Sequence, residues 1–285
     1  MILVTGATGK LGRLVVESLI RRGVPASEIV AGARNPDKAL PLSARGVKVR
    51  TVDYNRPETL DSALAGVDRV LLISGFEPNR VEQHRAVIEA AQRAGVSLLA
   101  YTSGAHADTS TIQLIGDHRA TEGVLRASGV PFVALRNSWY VENYTDNVAP
   151  RLAFGVMPGA AGDGKVSVAP RAEYAEAAAV VLTTDGHTGK VYELGGDRGY
   201  TLGEIATEIA RVTGKPYVYR DLSETDYVVA LEKAGVSERF AKLLANGDSG
   251  LKHGDLLVES GELSRLLGRP TTPLSTAIEQ ALAKR

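Results

Sequence analysis

Residues 5–12 read TGATGKLG and stand between the apolar run MILV and the helix-like stretch RLVVESLIRRG. Gly6, Gly9 and Gly12 thus recur every third residue where a strand hands over to a helix. Such a turn aims free backbone N–H groups and the positive end of a helix dipole at one spot, so an anion belongs there, most often a diphosphate. Gly6 would make the tight turn, Gly9 would let the backbone touch the pyrophosphate, and Gly12 would let the helix pack closely on the strand. Thr8, Lys10 and Leu11 complete the loop. The spacing is G-x-x-G-x-x-G instead of G-x-G-x-x-G, and the surrounding strand, loop, helix and second strand make dinucleotide binding the expectation.

The end of the second strand decides which dinucleotide. An NAD site places Asp or Glu there for the ribose hydroxyls, whereas a 2′-phosphate needs cations. The chain reads AGARNPDK, with Arg34 and then Lys38 and no acid at the strand end, which favours NADP(H). A guanidinium can pair with phosphate oxygens and stack on adenine. The plainer alternative is a solvated arginine closing a strand. Asp53 and Tyr54, after the third strand, are expected at the adenine edge, and Ser74, Gly75 and Phe76, after the fourth, at the nicotinamide ribose. Ligands of parallel sheets collect at the carboxyl ends of the strands.

Dehydrogenases of alcohols and ketones on such a sheet carry Tyr-x-x-x-Lys, because an alkoxide must gain or lose a proton as hydride moves. None of the ten tyrosines has lysine four residues later. In the corresponding helix, His118 and Glu122 have the i, i+4 spacing, which fits either a proton donor with its orienting acid or a helix-surface pair. We read Glu122 as the latter and keep His118 as a candidate donor. Hydride transfer to a quinone yields an anion about as basic as a phenolate, which solvent can protonate, so that chemistry survives the missing relay. So does binding of NADP(H) without catalysis.

The elements that must position these residues follow from periodicity. Short Val-, Ile- and Leu-rich runs at 2–5, 28–34, 47–53, 68–74, 97–103 and 131–137 alternate with helix-period segments, which predicts βα units and a parallel sheet. Apolar residues on consecutive strand positions imply helices on both faces. The first helix should bury Leu11, Leu14, Val15, Ser18, Leu19 and Ile20. Beyond 137 the texture changes, with helices expected at 172–183, 202–213 and from 224 onward, and strands at 190–195 and 217–221. The segment GAAGDGKV lacks a Walker pattern, since Val166 follows Lys165, and reads as a turn before a strand. The expected fold is α/β, a Rossmann-like doubly wound parallel sheet with a smaller C-terminal α/β lobe. The boundary is drawn as 1–150 and 151–285, with a strand near 190–195 free to rejoin the main sheet.

The 285 residues are 44% hydrophobic, with 33 basic and 33 acidic side chains. That balance gives no field drawing the chain to nucleic acid or to a membrane surface. There is no cysteine, which fits a reducing compartment and excludes thiolate chemistry. A strand from residue 2 leaves no room for a signal peptide and no run is long enough to span a membrane, so a cytoplasmic location is expected. The five histidines lack metal-site spacing, and no metal is expected.

Taken together, TGATGKLG, ARNPDKA, LLISG, EQHRAVIEAAQRAGV, AYTS, LRNSWYVENY, GAAGDGKV, PRAEYA, GKVYELGGD and LGRPTTPLSTAI resemble the bacterial NADPH:quinone oxidoreductases of type 2, in the NmrA-like branch of atypical short-chain dehydrogenases. The triphenylmethane dye reductases are similar over the same length, and the family also holds redox sensors without activity. The resemblance implies two-electron reduction of small quinones by NADPH, without flavin or metal, and leaves open assembly as a homodimer. It implies that Gly6 to Gly12 and Arg34 hold phosphates, that Ser74 to Phe76 with Thr102 and Ser103 hold the nicotinamide ribose, and that Asn137 to Asn143 border nicotinamide and acceptor. Trp139, Tyr140 and Asn143 are then the first acceptor candidates, with Phe76 beside them. Trp139 is the single tryptophan and equally suits a packing role.

Overall fold

The computed structural model describes residues 1–146 and 148–283. Seven strands form the main sheet. In chain order the first six are β1 (Ile2–Val4), β2 (Ile29–Ala33), β3 (Lys48–Thr51), β4 (Arg69–Leu72), β5 (Leu98–Gly104) and β6 (Phe132–Asn137). Across the sheet the order is β3, β2, β1, β4, β5, β6, and then the strand Val191–Leu194 at the far edge. The ladders β1–β2, β1–β4, β2–β3 and β4–β5 are parallel. On the far side the Ala134 N–H donates to the Lys190 carbonyl and the Ser138 N–H to the Leu194 carbonyl, both partners advancing by four residues, which keeps that edge parallel as well.

The strand order reverses between β1 and β4, and that reversal opens a crevice at their carboxyl ends. The turn after β1 and the segment Ser74–Phe76 after β4 flank this switch point. β2 and β5 are buried at every position, as consecutive apolar residues demand when both faces are covered. Edge strand β3 has no buried residue.

Contacts gather into two units that interleave along the chain, so a single cut at residue 150 does not describe them. The first consists of 1–104, 117–136 and 172–192, and the second of 105–116, 137–171 and 193–285. The helix Arg171–Thr183 follows the supposed cut yet belongs almost wholly to the first unit. The cause is the sheet's need for cover on its second face: Arg22, just past the helix Lys10–Arg21, donates through Nε to Thr183 Oγ1 at 3.0 Å. Arg69 of β4 closes the C-terminal end of the helix Arg171–Thr183, donating to the carbonyls of Leu182 and Thr184 at 3.2 and 2.8 Å, where a cation meets the negative end of the helix dipole.

On the opposite face, Leu60, Leu64, Val87, Ile88 and Leu125, from the helices Pro57–Leu64, Arg80–Ala94 and Gln113–Ser128, pack on Leu3, Val70, Leu72, Leu99 and Tyr101 of the strands. The helix Lys10–Arg21 buries Leu11, Gly12, Val15, Val16, Ser18 and Leu19. Gly12 and Val16 thus replace Leu14 and Ile20 of the expected stripe, because the helix lies against the turn on its Gly12 side.

The second unit has its own core, in which Val141, Met157, Val166, Val168, Leu202, Ile205, Ile209, Leu251 and Ile278 meet. Its strands are short pairs: Trp139–Tyr140 with Val168–Ala169, Lys165–Val166 with Tyr200–Thr201, and Val156–Gly159 with Val218–Asp221. The helix Leu202–Thr213 opens on a capping box between Thr201 and Glu204, which satisfies orphan amides at its start. Among the described residues no helix is long and apolar enough to cross a membrane.

Glu122 is not on a surface. Its carboxylate is fully buried and takes Arg136 Nε and Nη2 at 2.9 and 2.7 Å, with the Ser103 hydroxyl at 2.7 Å. Removing one partner of a buried pair strands the other charge, at a cost of about 3–5 kcal/mol. Glu122→Gln should therefore lower the unfolding free energy by about that amount, read as a shift of the urea midpoint at unchanged slope.

Candidate functional site

The site begins with the turn after β1. Gly6 has φ +57°, in the region that favours glycine. Gly12 is required by packing, since a Cβ there would stand 2.3 Å from the Gly6 carbonyl oxygen and 2.8 Å from Ala7 Cα. Gly9 differs. It caps the helix with extended backbone and no side-chain cap bond, and a Cβ would meet only the Gly6 oxygen, at 3.2 Å. The fold thus explains Gly6 and Gly12, while Gly9 keeps an exposed backbone bare. The first helical turn carries no acidic residue, so nothing in it opposes an anion at the dipole's positive end. This cradle fits a diphosphate. Thr8 is half-buried, Lys10 is exposed and Leu11 is buried beneath the turn.

Arg34 follows β2 with its side chain 70% exposed, and its guanidinium stands 3.7 Å from Glu77. An exposed pair of this kind contributes about 0–1 kcal/mol, so the cation remains available to a phosphate. Lys38 is exposed on the short 3₁₀ turn Pro36–Ala39, which Asn35 caps through the Asp37 N–H at 2.9 Å.

Tyr54 serves another purpose than the adenine edge alone. Its hydroxyl donates to the Ile73 carbonyl at 2.9 Å and meets the Thr5 hydroxyl, which itself accepts the Ile73 N–H at 2.9 Å. Tyr54 thereby ties the two strand ends that flank the switch point, and burial pushes its phenol pKa up. Asp53 accepts the Asn55 N–H at 3.0 Å.

Past β4, the Ser74 N–H donates to Thr102 Oγ1 at 2.9 Å, which joins the ends of β4 and β5. Phe76 is 76% exposed. The Ser103 hydroxyl proton is committed to Glu122.

The expected partnership of His118 with Glu122 does not form, since Glu122 is taken by Arg136. His118 Nδ1 instead meets the Tyr101 hydroxyl at 2.8 Å. Burial holds its pKa well below the ordinary histidine value, with the Arg80 charge and His84 adding to the effect. Sequence reasoning missed Arg80, His84 and Tyr101 altogether. All three are buried beneath the β4 and β5 ends, and the only signal was a histidine and an arginine four residues apart within RVEQH.

In the second unit, Asn137 is 8% exposed and its Oδ1 is buried without a hydrogen-bond partner, while its Nδ2 donates to the Tyr140 hydroxyl at 3.4 Å. A buried amide oxygen lacking a donor is costly, and an N–H from a ligand would satisfy it. Trp139 is half-buried against that unit's core. Tyr140 lies under the Arg171 guanidinium, 4.8 Å from its ring centre. Asn143 is exposed on the short helix Glu142–Thr145. Among the described residues no group of His, Asp and Glu could hold a metal ion.

Comparison with known proteins matches residues 6–185 to the NAD(P)H-binding family. Quinone oxidoreductase 2 of Escherichia coli (strain K12) is 49% identical, over 98% of this chain and 97% of its own. A crystal structure of NADPH-dependent quinone oxidoreductase from Escherichia coli, complexed with NADPH, superposes with a TM-score of 0.95 at 48% identity, covering 99% of this chain and 100% of that one. Triphenylmethane reductase of Citrobacter sp., complexed with NADP(H), gives 0.93 at 39% identity, covering 99% and 100%.

Two substitutions separate fold from binding at the glycine turn. Gly12→Ala should destabilise the protein by about 1–3 kcal/mol or more, because the obstructing atoms are backbone. Gly9→Ala, whose Cβ meets one backbone oxygen at 3.2 Å, should cost less stability than Gly12→Ala and still weaken NADPH binding roughly tenfold or more, measured by fluorescence titration.

Proposed function

This chain belongs to the NAD(P)H-binding family, and from that premise we propose that it transfers hydride from NADPH directly to a quinone or similar planar acceptor, without flavin or metal. The observation that carries the reading is the bare glycine cradle at the switch point of the sheet, with Arg34 standing where an NAD enzyme has an acid.

In this proposal the amides of Gly6 to Gly12, including those of Thr8, Lys10 and Leu11, hold the diphosphate. Arg34 and Lys38 take the 2′-phosphate. Asp53 faces the adenine, with Tyr54 keeping the pocket wall in place. Ser74, Gly75, Phe76, Thr102, Ser103 and Asn137 serve the nicotinamide end. When bound, NADPH supplies the hydride.

The chain's own share is placement. Neither Tyr101 nor His118 is a matched acid: the Tyr101 phenol is pushed up by burial, and His118 is kept neutral with its Nδ1 already engaged. An acceptor whose reduced anion is only as basic as a phenolate suits such a site. Trp139, Tyr140, Asn143 and Phe76 are the proposed acceptor residues, the aromatic ones by offset stacking.

The balanced charge and absence of cysteine support a cytoplasmic enzyme that acts on a small molecule and not on nucleic acid, alone or as a homodimer. Likeness to a triphenylmethane reductase supports dye reduction as a second reading.

Purified protein should oxidise NADPH on addition of 1,4-benzoquinone or menadione. Tight NADPH binding with no turnover across a broad acceptor panel would point instead to a redox sensor, and decolorisation of a triarylmethane dye with equal NADPH consumption to the second reading. Arg34→Ala should raise the KM for NADPH roughly ten- to a hundredfold while leaving that for NADH within about twofold, the loss of one charge-assisted contact. Equal losses for both would refute the 2′-phosphate assignment.

A further inference from the structure

Beneath the end of β4, two buried side chains grip one glycine. His84 Nε2 accepts the Gly75 N–H at 3.3 Å, and Arg80 Nη1 donates to the Gly75 carbonyl at 3.1 Å. The residues holding it are 0% and 2% exposed and project from one face of the helix Arg80–Ala94, four positions apart.

Both are anchored in turn to the helix Gln113–Ser128. Arg80 Nε donates to Asp117 Oδ2 at 2.9 Å, and His84 Nδ1 lies 2.9 Å from Thr121 Oγ1. Thr121 passes its own proton to the Asp117 carbonyl at 2.9 Å.

These bonds settle the tautomers. An amide N–H can only donate, so His84 Nε2 carries no proton and Nδ1 does, which gives Thr121 the proton it accepts. The Tyr101 hydroxyl, facing a protonated His84 Nδ1 at 3.5 Å, then donates to His118 Nδ1 at 2.8 Å. The chain closes only with both rings neutral. Burial, with Arg80 beside it, lowers the His84 pKa to about 3, in agreement.

Peptide planarity carries the grip outward. The described chain has no cis peptide, and in a trans unit the N–H and C=O point in opposite directions. With the Gly75 N–H turned toward His84, the Ser74 carbonyl points away from the clamp. With the Gly75 carbonyl turned toward Arg80, the Phe76 N–H does the same. The result is a backbone acceptor and donor, two residues apart, facing away from the helix that fixes them.

We propose that His84 and Arg80 are positioning residues: by fixing the Gly75 peptide they present Ser74 C=O and Phe76 N–H as a matched acceptor and donor for the hydroxyls of the cofactor's nicotinamide ribose. The inference rests on the reading that Ser74–Phe76 serve the nicotinamide end.

The test uses two probes, NADPH and 2′,5′-ADP, the latter carrying the adenosine phosphates but no nicotinamide ribose. His84→Leu should weaken NADPH about tenfold and leave 2′,5′-ADP within about twofold, by calorimetry on protein shown folded by a thermal melt. His84→Gln, whose amide oxygen can reach the acceptor position, should recover most of the lost affinity. If His84→Leu does not fold, Thr121→Val carries the same test, with about a threefold loss confined to NADPH.

Unchanged NADPH affinity in the folded variant, parallel losses on both probes, or no recovery with glutamine would overturn the clamp. A wild-type protein that binds neither probe would overturn the cofactor reading beneath it, which is a different failure from losing both probes only in the variant.

Discussion

A helix starts so close to the turn before it that no methyl group fits between them, and the first unit is organised around that approach. The contact of Gly12 with the Gly6 carbonyl and Ala7 sets the line of the helix Lys10–Arg21 across β1 and brings its N-terminal amides to the place where the strand order reverses. Strand order supplies the crevice, and the close approach supplies the amides facing it. Loosening the contact would leave a sheet and a helix but no convergence of donors. Tyr54, Thr5 and Ile73 add a second constraint by tying the ends of β1 and β4 together.

The same unit handles its buried polar groups in two opposite ways. Glu122 and Arg136 form a buried ion pair through two parallel bonds, and the same carboxylate takes Arg126 Nη2 at 2.8 Å and the Ser103 hydroxyl at 2.7 Å. His84, His118 and Tyr101 stay neutral because each finds a neutral partner with the complementary proton. Charge in the first set braces β5, β6 and the helix Gln113–Ser128. Neutral bonding in the second supports the loop after β4. A catalytic acid would need a group poised between these extremes, and neither arrangement offers one near neutral pH, which is the structural counterpart of the absent Tyr-x-x-x-Lys.

The six leading strands were legible because their apolar residues run consecutively, as in β2 and β5, and the first helix because its apolar residues recur on one face. The loop glycines were legible for the same local reason, and positions 34, 53 and 74 do follow the carboxyl ends of β2, β3 and β4. What escaped was set by residues far apart in sequence. Glu122 does form an i, i+4 ion pair, with Arg126, but Arg136 and Ser103, brought in by the neighbouring strands, make it an interior residue. Tyr54 has the position of an adenine contact, but its hydroxyl is claimed by Thr5 and Ile73, 49 and 19 residues away. The division into units escaped for the same cause: the helix Arg171–Thr183 is drawn to the uncovered face of a sheet whose strands ended long before it.

A site that positions without supplying protons constrains its acceptor by chemistry as much as by shape. Hydride arriving at a simple ketone leaves an alkoxide, a strong base that needs a positioned proton donor as it forms, and neither Tyr101 nor His118 is free to serve as one, so in the proposed reaction the barrier stays high however well the ketone is held. Hydride arriving at a quinone or an extended dye cation leaves a delocalised product, and the proton can follow from water afterwards. The polar groups of the first unit are accordingly spent on holding backbone in register, and selectivity passes to the electron affinity and planarity of whatever enters beside the nicotinamide.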